Sequence, residues 1–344
     1  MKVVGYVSDR DPLPAISADK LDALNFAFAR VNPAHEVHLP RAETGARLER
    51  IVALRKANPR LRVLLSIGGW GAGNFSEAAA TEQGRQRFAQ TSVALLTRYD
   101  LDGLDVDWEY PAHPGPGISY RPEDRETFPL LLQAMRSALD AAAGDSGRRY
   151  LLTIAAADGR AARGLDFARI VPLLDWINLM TYDFYGEGSP HTGHHAGLHA
   201  STLVPARERD TEQAVDAFLR AGVPPAKLHV GMAFYGKLFS GVEPGNDGLG
   251  QAHDGQVRFV SYARIRREFL AGDAFRRHWD KRAQAAWLWD PEGRRMVSYE
   301  DPQALRAKVR FAKAKGLGGV MYWEHDQDDD EALLDVALEA IARP

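Results

Sequence analysis

Cysteine is absent from the 344-residue sequence, which excludes disulfide bonds and thiolate metal sites. Long apolar runs are also missing, because no stretch approaches the roughly 20 residues that a membrane-spanning helix requires. The N-terminus shows no basic segment followed by an apolar run, so no signal peptide is visible. Neither charge sign dominates: 43 basic and 46 acidic residues give a net charge of −3. We therefore expect neither nucleic acid nor a membrane as a partner.

The sequence does contain enough apolar residues, 45% of the total, to form one large core or two ordinary ones. Short apolar segments rich in β-branched residues, without helical periodicity, predict buried strands. These segments are Val3–Val7, Leu24–Val31, Leu61–Ile67, Leu104–Glu109, Leu151–Ala157, Ile177–Tyr182, Leu228–Phe234 and Gly319–Trp323.

Helical patterns lie between several of these segments. They cover Ser76–Tyr99, Pro122–Ala143, Thr211–Ala221, Gln303–Ala314 and Asp330–Ile341. Helix following strand, with eight strands in all, predicts an α/β protein with a closed (β/α)₈ TIM barrel. An open doubly wound sheet is the alternative, but the glycine-rich dinucleotide fingerprint after the first strand is missing.

One interval is far longer than a single crossover helix needs, the one between the seventh and eighth predicted strands. Residues 240–301 contain strand-like and helix-like patterns of their own. We predict a small α+β insertion domain at 240–301, and a barrel catalytic domain formed by 1–239 and 302–344.

The run Asp-Gly-Leu-Asp-Val-Asp-Trp-Glu-Tyr-Pro at 102–111 carries the clearest chemical signal. Asp105, Asp107 and Glu109 alternate with apolar residues, and alternate side chains of a strand share a face at steps of about 6.6 Å. Three carboxyls crowded inside a barrel cannot all stay ionised, so one of them keeps a proton near neutral pH. Such a group is suited to proton donation.

Two other interpretations of this run are disfavoured by its neighbours and its spacing. A solvated acidic turn would have polar neighbours, whereas the neighbours here are Leu, Val and Trp. A calcium loop would need glycine at its sixth position, which is occupied by Tyr110. Glu109 is predicted to end its strand at the carboxyl rim, where TIM-barrel active sites lie. Asp102 breaks the alternation and is expected to support the start of the strand.

The run matches the D-x-x-D-x-D-x-E signature of glycoside hydrolase family 18, which the sequence resembles from end to end. Further segments similar to motifs of that family follow the same order. They are Ser66-Ile-Gly-Gly69, Met180-Thr-Tyr-Asp183, Tyr235-Gly236 and Trp323. The insertion at 240–301 resembles that of the deep-cleft, bacterial-type chitinases.

The resemblance implies a retaining, substrate-assisted mechanism, for which this family is an exception to the usual two-carboxylate scheme. Glu109 would protonate the leaving oxygen while the substrate's 2-acetamido carbonyl attacks the anomeric carbon. Asp107 would accept the acetamido N–H, and Asp105 would share a proton with Asp107. Tyr182 would donate a hydrogen bond to the acetamido oxygen. No metal and no organic cofactor is implied.

The resemblance also implies a set of substrate-binding residues. Met180 and Asp183 would shape the acetamido pocket, Trp323 would form its apolar floor, and Tyr6 and Ser66 would lie near the aspartate pair. Exposed aromatic rings suit the apolar faces of sugars. The candidates for such contacts are Trp70, Phe28 and one of Trp287 and Trp289, followed by Tyr185 and Tyr235.

A histidine cluster, at His191, His194, His195 and His199, is predicted to be a solvated loop or a rim contact rather than a metal site. Its glycines and its proline disfavour the helical spacing of a metal pair. Downstream of Asp183, the tryptophan common in the family is missing, and Lys237 stands where arginine is common. These differences concern specificity rather than the reaction.

The resulting hypothesis is a monomeric chitinase acting on chitin or chito-oligosaccharides. The alternatives are an endo-β-N-acetylglucosaminidase acting on N-glycans and a chitin-binding lectin without turnover. The insertion favours a chitinase over the first alternative, and the presence of Glu109, Asp107 and Tyr182 disfavours the lectin. The resemblance favours an extracellular location; the lack of a visible signal peptide leaves a cytoplasmic location open.

Overall fold

The computed structural model describes residues 1–144, 147–204 and 209–343. Its strands, in chain order, are β1 (Lys2–Ser8), β2 (Ala23–Val31), β3 (Val37–His38), β4 (Arg62–Gly68), β5 (Gly103–Asp107), β6 (Leu151–Ala156), β7 (Trp176–Leu179), β8 (Leu228–Ala233), β9 (Tyr235–Phe239), β10 (Val257–Ser261), β11 (Arg276–Asp280), β12 (Ala285–Asp290), β13 (Arg295–Tyr299) and β14 (Gly319–Trp323).

The α-helices are α1 (Thr44–Val52), α2 (Phe75–Ala80), α3 (Glu82–Arg98), α4 (Asp124–Ala143), α5 (Phe167–Ile170), α6 (Thr211–Arg220), α7 (Tyr262–Arg264), α8 (Pro302–Ala314) and α9 (Ala332–Ala342). A π-helical turn, Ile265–Leu270, follows α7. None of the helices in the described residues is long and apolar enough to cross a bilayer.

The larger sheet has the strand order β1-β14-β8-β7-β6-β5-β4-β2-β3, and β1 also pairs with β2. The pairing of β1 with β2 closes the sheet into a ring of eight strands. β3 pairs antiparallel with β2 outside this ring. All eight predicted strand segments are in the ring, and the predicted (β/α)₈ TIM barrel is confirmed. β4 and β5 are buried along nearly their whole length, as expected for parallel strands covered on both faces.

Among the predicted boundaries that were wrong, three change where site residues lie or how many helices there are. β5 ends at Asp107 and β7 at Leu179, so Glu109 and Tyr182 lie in the segments that follow their strands. The helix predicted over 76–99 is two helices, α2 and α3, separated at Thr81. Thr81 has extended backbone angles, and its hydroxyl accepts a hydrogen bond from the backbone N–H of Gly84 at 3.0 Å. This N-cap starts a new helix where the apolar pattern alone continues.

The packing divides the chain into two compact units. The first comprises Lys2–Leu179 and Phe218–His229, and its parallel strands β1, β2 and β4–β7 form a continuous hydrogen-bonded series. The second comprises Met1, Met180–Ala217 and Val230–Pro344. It contains α8, α9, β14 and a separate antiparallel sheet with the order β10-β9-β13-β12-β11.

The antiparallel sheet encloses a small apolar core of its own. Trp287 and Trp289 are both buried in it, at 5% and 3% exposure, together with Phe239 and Met296. The expectation that one of these two tryptophans faces the substrate was wrong, because both rings fill the core of this sheet. The sheet begins with β9, ahead of position 240; the assignment of 240–301 as an insertion domain stays a prediction.

Candidate active site

Asp105 of β5 is fully buried and is held by four hydrogen-bond donors from four different strands. The donors are the hydroxyls of Tyr6 (2.8 Å), Ser66 (2.7 Å) and Thr153 (2.5 Å) and the amide of Asn178 (3.3 Å). Burial raises the pKa of Asp105, and these hydrogen bonds partly offset the effect. The arrangement fixes the carboxyl in the ring of strands, with the Tyr6 and Ser66 hydroxyls in contact with Asp105.

Asp107 is also buried, at 5% exposure, but it is held quite differently. Its Oδ1 atom has no hydrogen-bond partner among the described residues. Burial raises the pKa of Asp107 well above its usual range, the negative charges of Glu109 and Asp105 raise it further, and the positive charge of Arg30 opposes the rise. The carboxyls therefore titrate as an interacting set that retains a proton above the usual range of aspartate.

Glu109 lies two residues beyond the end of β5 and is half-buried. Its charge raises the pKa of Asp107, which places the two carboxyls within electrostatic reach of each other. Trp108, between them in the chain, points elsewhere: its ring stacks on Phe75 at 5.4 Å and meets Phe128 edge-on at 5.4 Å.

The glycines after Ser66 allow close backbone contacts beside the acids. Gly68 pairs with Asp107 in the sheet, and a Cβ on Gly68 would lie 2.0 Å from the carbonyl oxygen of Asp107. Gly69 has a φ of +84°, and a Cβ there would lie 2.5 Å from the Phe28 ring. The tight Phe28 contact and the left-handed backbone explain why this turn requires glycine.

Phe28 and Trp70 differ in how much surface they offer a ligand. Phe28 is half-buried and lies where the pairing of β2 with β4 shifts by one residue, a β-bulge. Trp70 is 64% exposed, and its ring meets Tyr110 edge-on with centroids 6.3 Å apart. A large aromatic ring this exposed has a free face for an apolar surface.

In the second unit, Tyr182 and Asp183 follow the end of β7. Tyr182 is 8% exposed and its hydroxyl lies 3.8 Å from the sulfur of Met321. Asp183 has a left-handed backbone (φ 56°) and a half-exposed side chain. Lys237 Nζ lies 2.9 Å from its carboxylate and His195 Nδ1 lies 3.8 Å away. Burial would raise the pKa of Asp183, but these two neighbours lower it to about 2.

Tyr235 lies between two other aromatic rings of the second unit, those of Tyr182 and Phe259. It is 2% exposed, meets the Tyr182 ring edge-on at 6.0 Å and stacks on Phe259 at 4.5 Å. Phe259 is itself 46% exposed and was missed from the sequence, where it was only one residue of a strand-like pattern. Met180 and Trp323, the two remaining predicted pocket residues, are each half-buried.

The histidine cluster proved to be a set of separate contacts rather than a solvated loop. His194 and His195 are 1% and 0% exposed, so the prediction of solvation was wrong for both. His194 lies 3.4 Å from Asp280, and His199 lies 2.8 Å from Glu212. Within the described parts of the chain, no group of three or more histidine or acidic side chains is arranged to hold a metal ion.

Asp102 has the supporting position expected for it. Its carboxylate accepts a hydrogen bond from the backbone N–H of Val63 at 3.0 Å and contacts Arg62 at 3.1 Å and Arg55 at 3.3 Å. These contacts tie the starts of β4 and β5 together. Asp102 is as buried as Asp107, and its arginine and backbone partners give it a structural role that separates it from the coupled set further along the strand.

Comparison with known proteins gives a consistent result. The family model described as "Glycosyl hydrolases family 18" matches residues 2–328. Chitinase A1 of Niallia circulans is 36% identical over 81% of this chain, which spans only 42% of that protein's length. A glycoside hydrolase family 18 N-acetylglucosaminidase structure from Paenibacillus barengoltzii has a TM-score of 0.93 and 38% identity, covering 98% of this chain and 99% of that one.

A third similar protein was solved with a sugar. A class V chitinase from Nicotiana tobaccum in complex with NAG4 has a TM-score of 0.89 at 27% identity, and the match covers 99% of both chains.

Proposed function

The chain belongs to glycosyl hydrolases family 18, and from that premise we propose that it hydrolyses β-1,4-linked N-acetylglucosamine in chitin or chito-oligosaccharides. Retention of configuration and participation of the substrate's own acetamido group are part of the proposal. The observation that carries it is the coupled carboxyl set: Asp105 and Asp107 are buried, and the pKa of Asp107 is raised by burial and by Glu109. Perturbed carboxyls of this kind are typical of catalytic sites.

Glu109 is assigned as the proton donor, and later as the base that activates water. It is half-buried and follows the end of a barrel strand, where TIM-barrel catalytic groups lie. Repulsion between the negative charges of Glu109 and Asp107 favours retention of a proton by the carboxyl set. Glu109 would deliver that proton to the glycosidic oxygen as the bond to the anomeric carbon breaks.

Asp107 is assigned as the acceptor of the acetamido N–H. Its Oδ1 is buried and lacks a partner among the described residues, and a buried acceptor without a partner is costly. An amide N–H from the substrate would satisfy it. As the acetamido oxygen attacks the anomeric carbon, positive charge would develop on the amide, and an ionised Asp107 would stabilise it.

Asp105 is assigned as the group that exchanges a proton with Asp107. Its four donors hold it rigidly, and its pKa is raised by burial, so it is suited to a fixed electrostatic role. Tyr6 and Ser66 would act through this contact and would not need to touch the sugar themselves.

Tyr182, Met180, Asp183, Tyr235 and Trp323 are assigned to substrate binding by their match to the family motifs. Tyr182 would donate its hydroxyl proton to the acetamido oxygen, and Trp323 would supply an apolar surface for the reacting sugar. The low pKa of Asp183 keeps it ionised at neutral pH, so it would act as an acceptor for sugar hydroxyls.

Trp70 and Phe28 are assigned to neighbouring sugar units. The exposed face of Trp70 suits stacking on a pyranose ring. Phe28 would contribute a smaller apolar wall because its ring is half-buried and packs against Gly69. Longer oligosaccharides would therefore bind more tightly than short ones.

Release of single N-acetylglucosamine units is a second candidate for the cleavage pattern. This cleavage pattern is favoured by the similarity to the N-acetylglucosaminidase structure from Paenibacillus barengoltzii, because the match covers 98% of this chain and 99% of that one. The same acid set would serve both patterns, since they differ only in how many sugars bind on each side of the cleaved bond.

The deciding experiment is a product time course on chitohexaose, with chromogenic chitobioside as a second substrate. Appearance of chito-oligosaccharides with retained anomeric configuration is expected for a chitinase. Monosaccharide as the first and only product would favour the second candidate. Binding without any product would support a lectin and contradict the proposal.

We further propose that the protein is a monomer and acts outside the cell, where polymeric chitin lies. Size-exclusion chromatography with light scattering and fractionation of the producing cells test these two statements. A stable dimer would contradict the first, and activity confined to the cytoplasm would contradict the second.

A further inference from the structure

Arg30 is a charged residue next to the acid set that none of the family motifs contains. It lies on β2, is half-buried, and its guanidinium donates a hydrogen bond to the carbonyl oxygen of Gly68. Gly68 is the sheet partner of Asp107, and the N–H of Gly69 donates to the carbonyl oxygen of Asp107 at 2.9 Å. The cation is therefore anchored to the residue directly across from Asp107.

The local packing fixes the direction of the Arg30 side chain. Its guanidinium carbon lies 5.6 Å from the centre of the Phe28 ring, within the range of a cation–π contact. The β-bulge at Phe28 shifts the register of β2 just before Arg30, and bulges commonly redirect side chains next to functional sites. Arg30 is thus held by a carbonyl and by an aromatic face, with its charge beside the acids.

The charges acting on Asp107 are few: those of Glu109 and Asp105 raise its pKa and that of Arg30 lowers it. The groups that contact Asp105 from the neighbouring strands are uncharged at neutral pH: Tyr6, Ser66, Thr153 and Asn178. Arg30 is consequently the one positive charge among the described groups found to act on Asp107.

Resting on the proposed function, we propose that Arg30 is a positioning residue. Its positive charge favours an ionised Asp107 and so leaves the transferable proton on Glu109. Without the guanidinium, three carboxyls would compete for protons in a buried space. The proton would then sit more often on Asp107, where it blocks the acceptor that the acetamido N–H needs. Arg30 touches no reacting atom in this scheme and acts through Asp107 alone.

The pH dependence of kcat/KM on chromogenic chitobioside provides the test. The acidic limb reports ionisation within the set, so loss of the positive charge in Arg30→Met should move that limb to higher pH by about 1 unit. Arg30→Lys keeps the charge and should leave the limb close to that of the wild type, even if the rate falls because the Gly68 contact is lost. Arg50→Met, on the exposed surface of α1, removes the same net charge elsewhere and serves as the control.

Several outcomes would overturn the inference. An unchanged acidic limb in Arg30→Met, together with a lower rate, would make Arg30 a purely structural link between β2 and β4. An equal shift in Arg30→Lys or in Arg50→Met would show that charge at this position is not responsible. If Arg30→Met does not fold, Arg30→Gln replaces it, because glutamine retains a donor for the Gly68 carbonyl.

A measurement without turnover separates this inference from the proposed function. Infrared spectroscopy of protein labelled with ¹³C at the aspartate carboxyls follows protonation directly, with Asp107→Asn identifying the relevant band. The Asp107 band should titrate at higher pH in Arg30→Met than in the wild type. A wild-type protein that hydrolyses neither chitohexaose nor chromogenic chitobioside would contradict the proposed function. An unshifted Asp107 band in Arg30→Met would contradict only the inference about Arg30.

Discussion

The ammonium of Lys308 lies 2.8 Å from a carboxylate oxygen of Glu300, and the two side chains are only 1% and 2% exposed. Lys308 also donates to the carbonyls of Gly231 (2.9 Å) and Thr181 (3.3 Å), and Glu300 accepts from the N–H of Ala233 at 2.5 Å. Burial raises the pKa of Glu300 and lowers that of Lys308, and each charge opposes the shift of the other. The pair links α8 to the backbone next to Tyr182 and to the end of β8.

Lys308→Met should lower the free energy of unfolding by about 3–5 kcal/mol, because Glu300 would remain buried without its counter-charge. The double variant Lys308→Met/Glu300→Gln should recover a large part of this loss. Urea denaturation of the wild type, both single variants and the double variant measures the coupling. Losses that simply add in the double variant would contradict the ion pair as the origin of the effect.

Glu109→Gln should lower kcat by about 100-fold or more while chito-oligosaccharides still bind, since the amide keeps the shape of the side chain but has no acidic proton. Single-turnover kinetics and calorimetric binding measure the two effects. Glu123→Gln, an exposed change just ahead of α4, is the matched control. A rate close to that of the wild type would refute the assignment of the proton donor.

Asp107→Asn should raise the stability of the protein at pH 7 while it reduces turnover. A carboxyl whose pKa is raised by folding stabilises the folded state below its unfolded pKa of about 3.9, and this contribution is lost as pH rises through the folded pKa. The direction of the Asp107 shift therefore predicts a higher Tm for the variant at pH 7 and little difference near pH 3. A variant less stable than the wild type at pH 7 would be the opposite result.

Tyr182→Phe should lower kcat by about 100-fold, the usual effect of removing one hydrogen-bond donor to developing charge. The ring contact with Tyr235 survives the change, so the Tm should alter little. Steady-state kinetics on chitobioside, with the exposed Tyr120→Phe as the control, measures the effect. An effect on KM alone would indicate ground-state binding instead.

Trp70→Ala should raise KM for chitohexaose by about fivefold, which corresponds to roughly 1 kcal/mol of aromatic contact. The exposed Leu130→Ala on α4 is the control, since it removes apolar surface from a helix far along the chain. Equal KM values for wild type and Trp70→Ala on both short and long substrates would remove Trp70 from substrate binding.

Much of the fold could be predicted because parallel strands covered on both faces leave uninterrupted apolar runs. β4 is an example: its residues Val63–Ile67 are all buried. The acid set could be predicted for the related reason that acids alternating with apolar residues imply buried carboxyls, and carboxyls with perturbed pKa values cluster at functional sites. Helix breaks were harder, because the cap at Thr81 depends on backbone angles and the apolar pattern continues through it.

Pairings between residues far apart in the chain could not be predicted. His195 looked like a loop residue among glycines, yet it is buried and its backbone N–H donates to Ser298 at 2.8 Å. One of Trp287 and Trp289 was expected to face the substrate, yet both are buried, and the indole N–H of Trp287 donates to the carbonyl of Asp247 at 3.0 Å. Each outcome depends on a partner that is brought near only by the completed fold.

The β-bulge at Phe28 holds one more residue on β2 than β4 provides partners for. Ala27 pairs with Ser66 and Ala29 pairs with Ile67, so Phe28 is the residue that has no place of its own in the register. Deletion of Phe28 would straighten the strand and leave Arg30 on the same side of it. A single-codon deletion here would therefore remove the aromatic face next to the guanidinium without turning its charge away from Asp107.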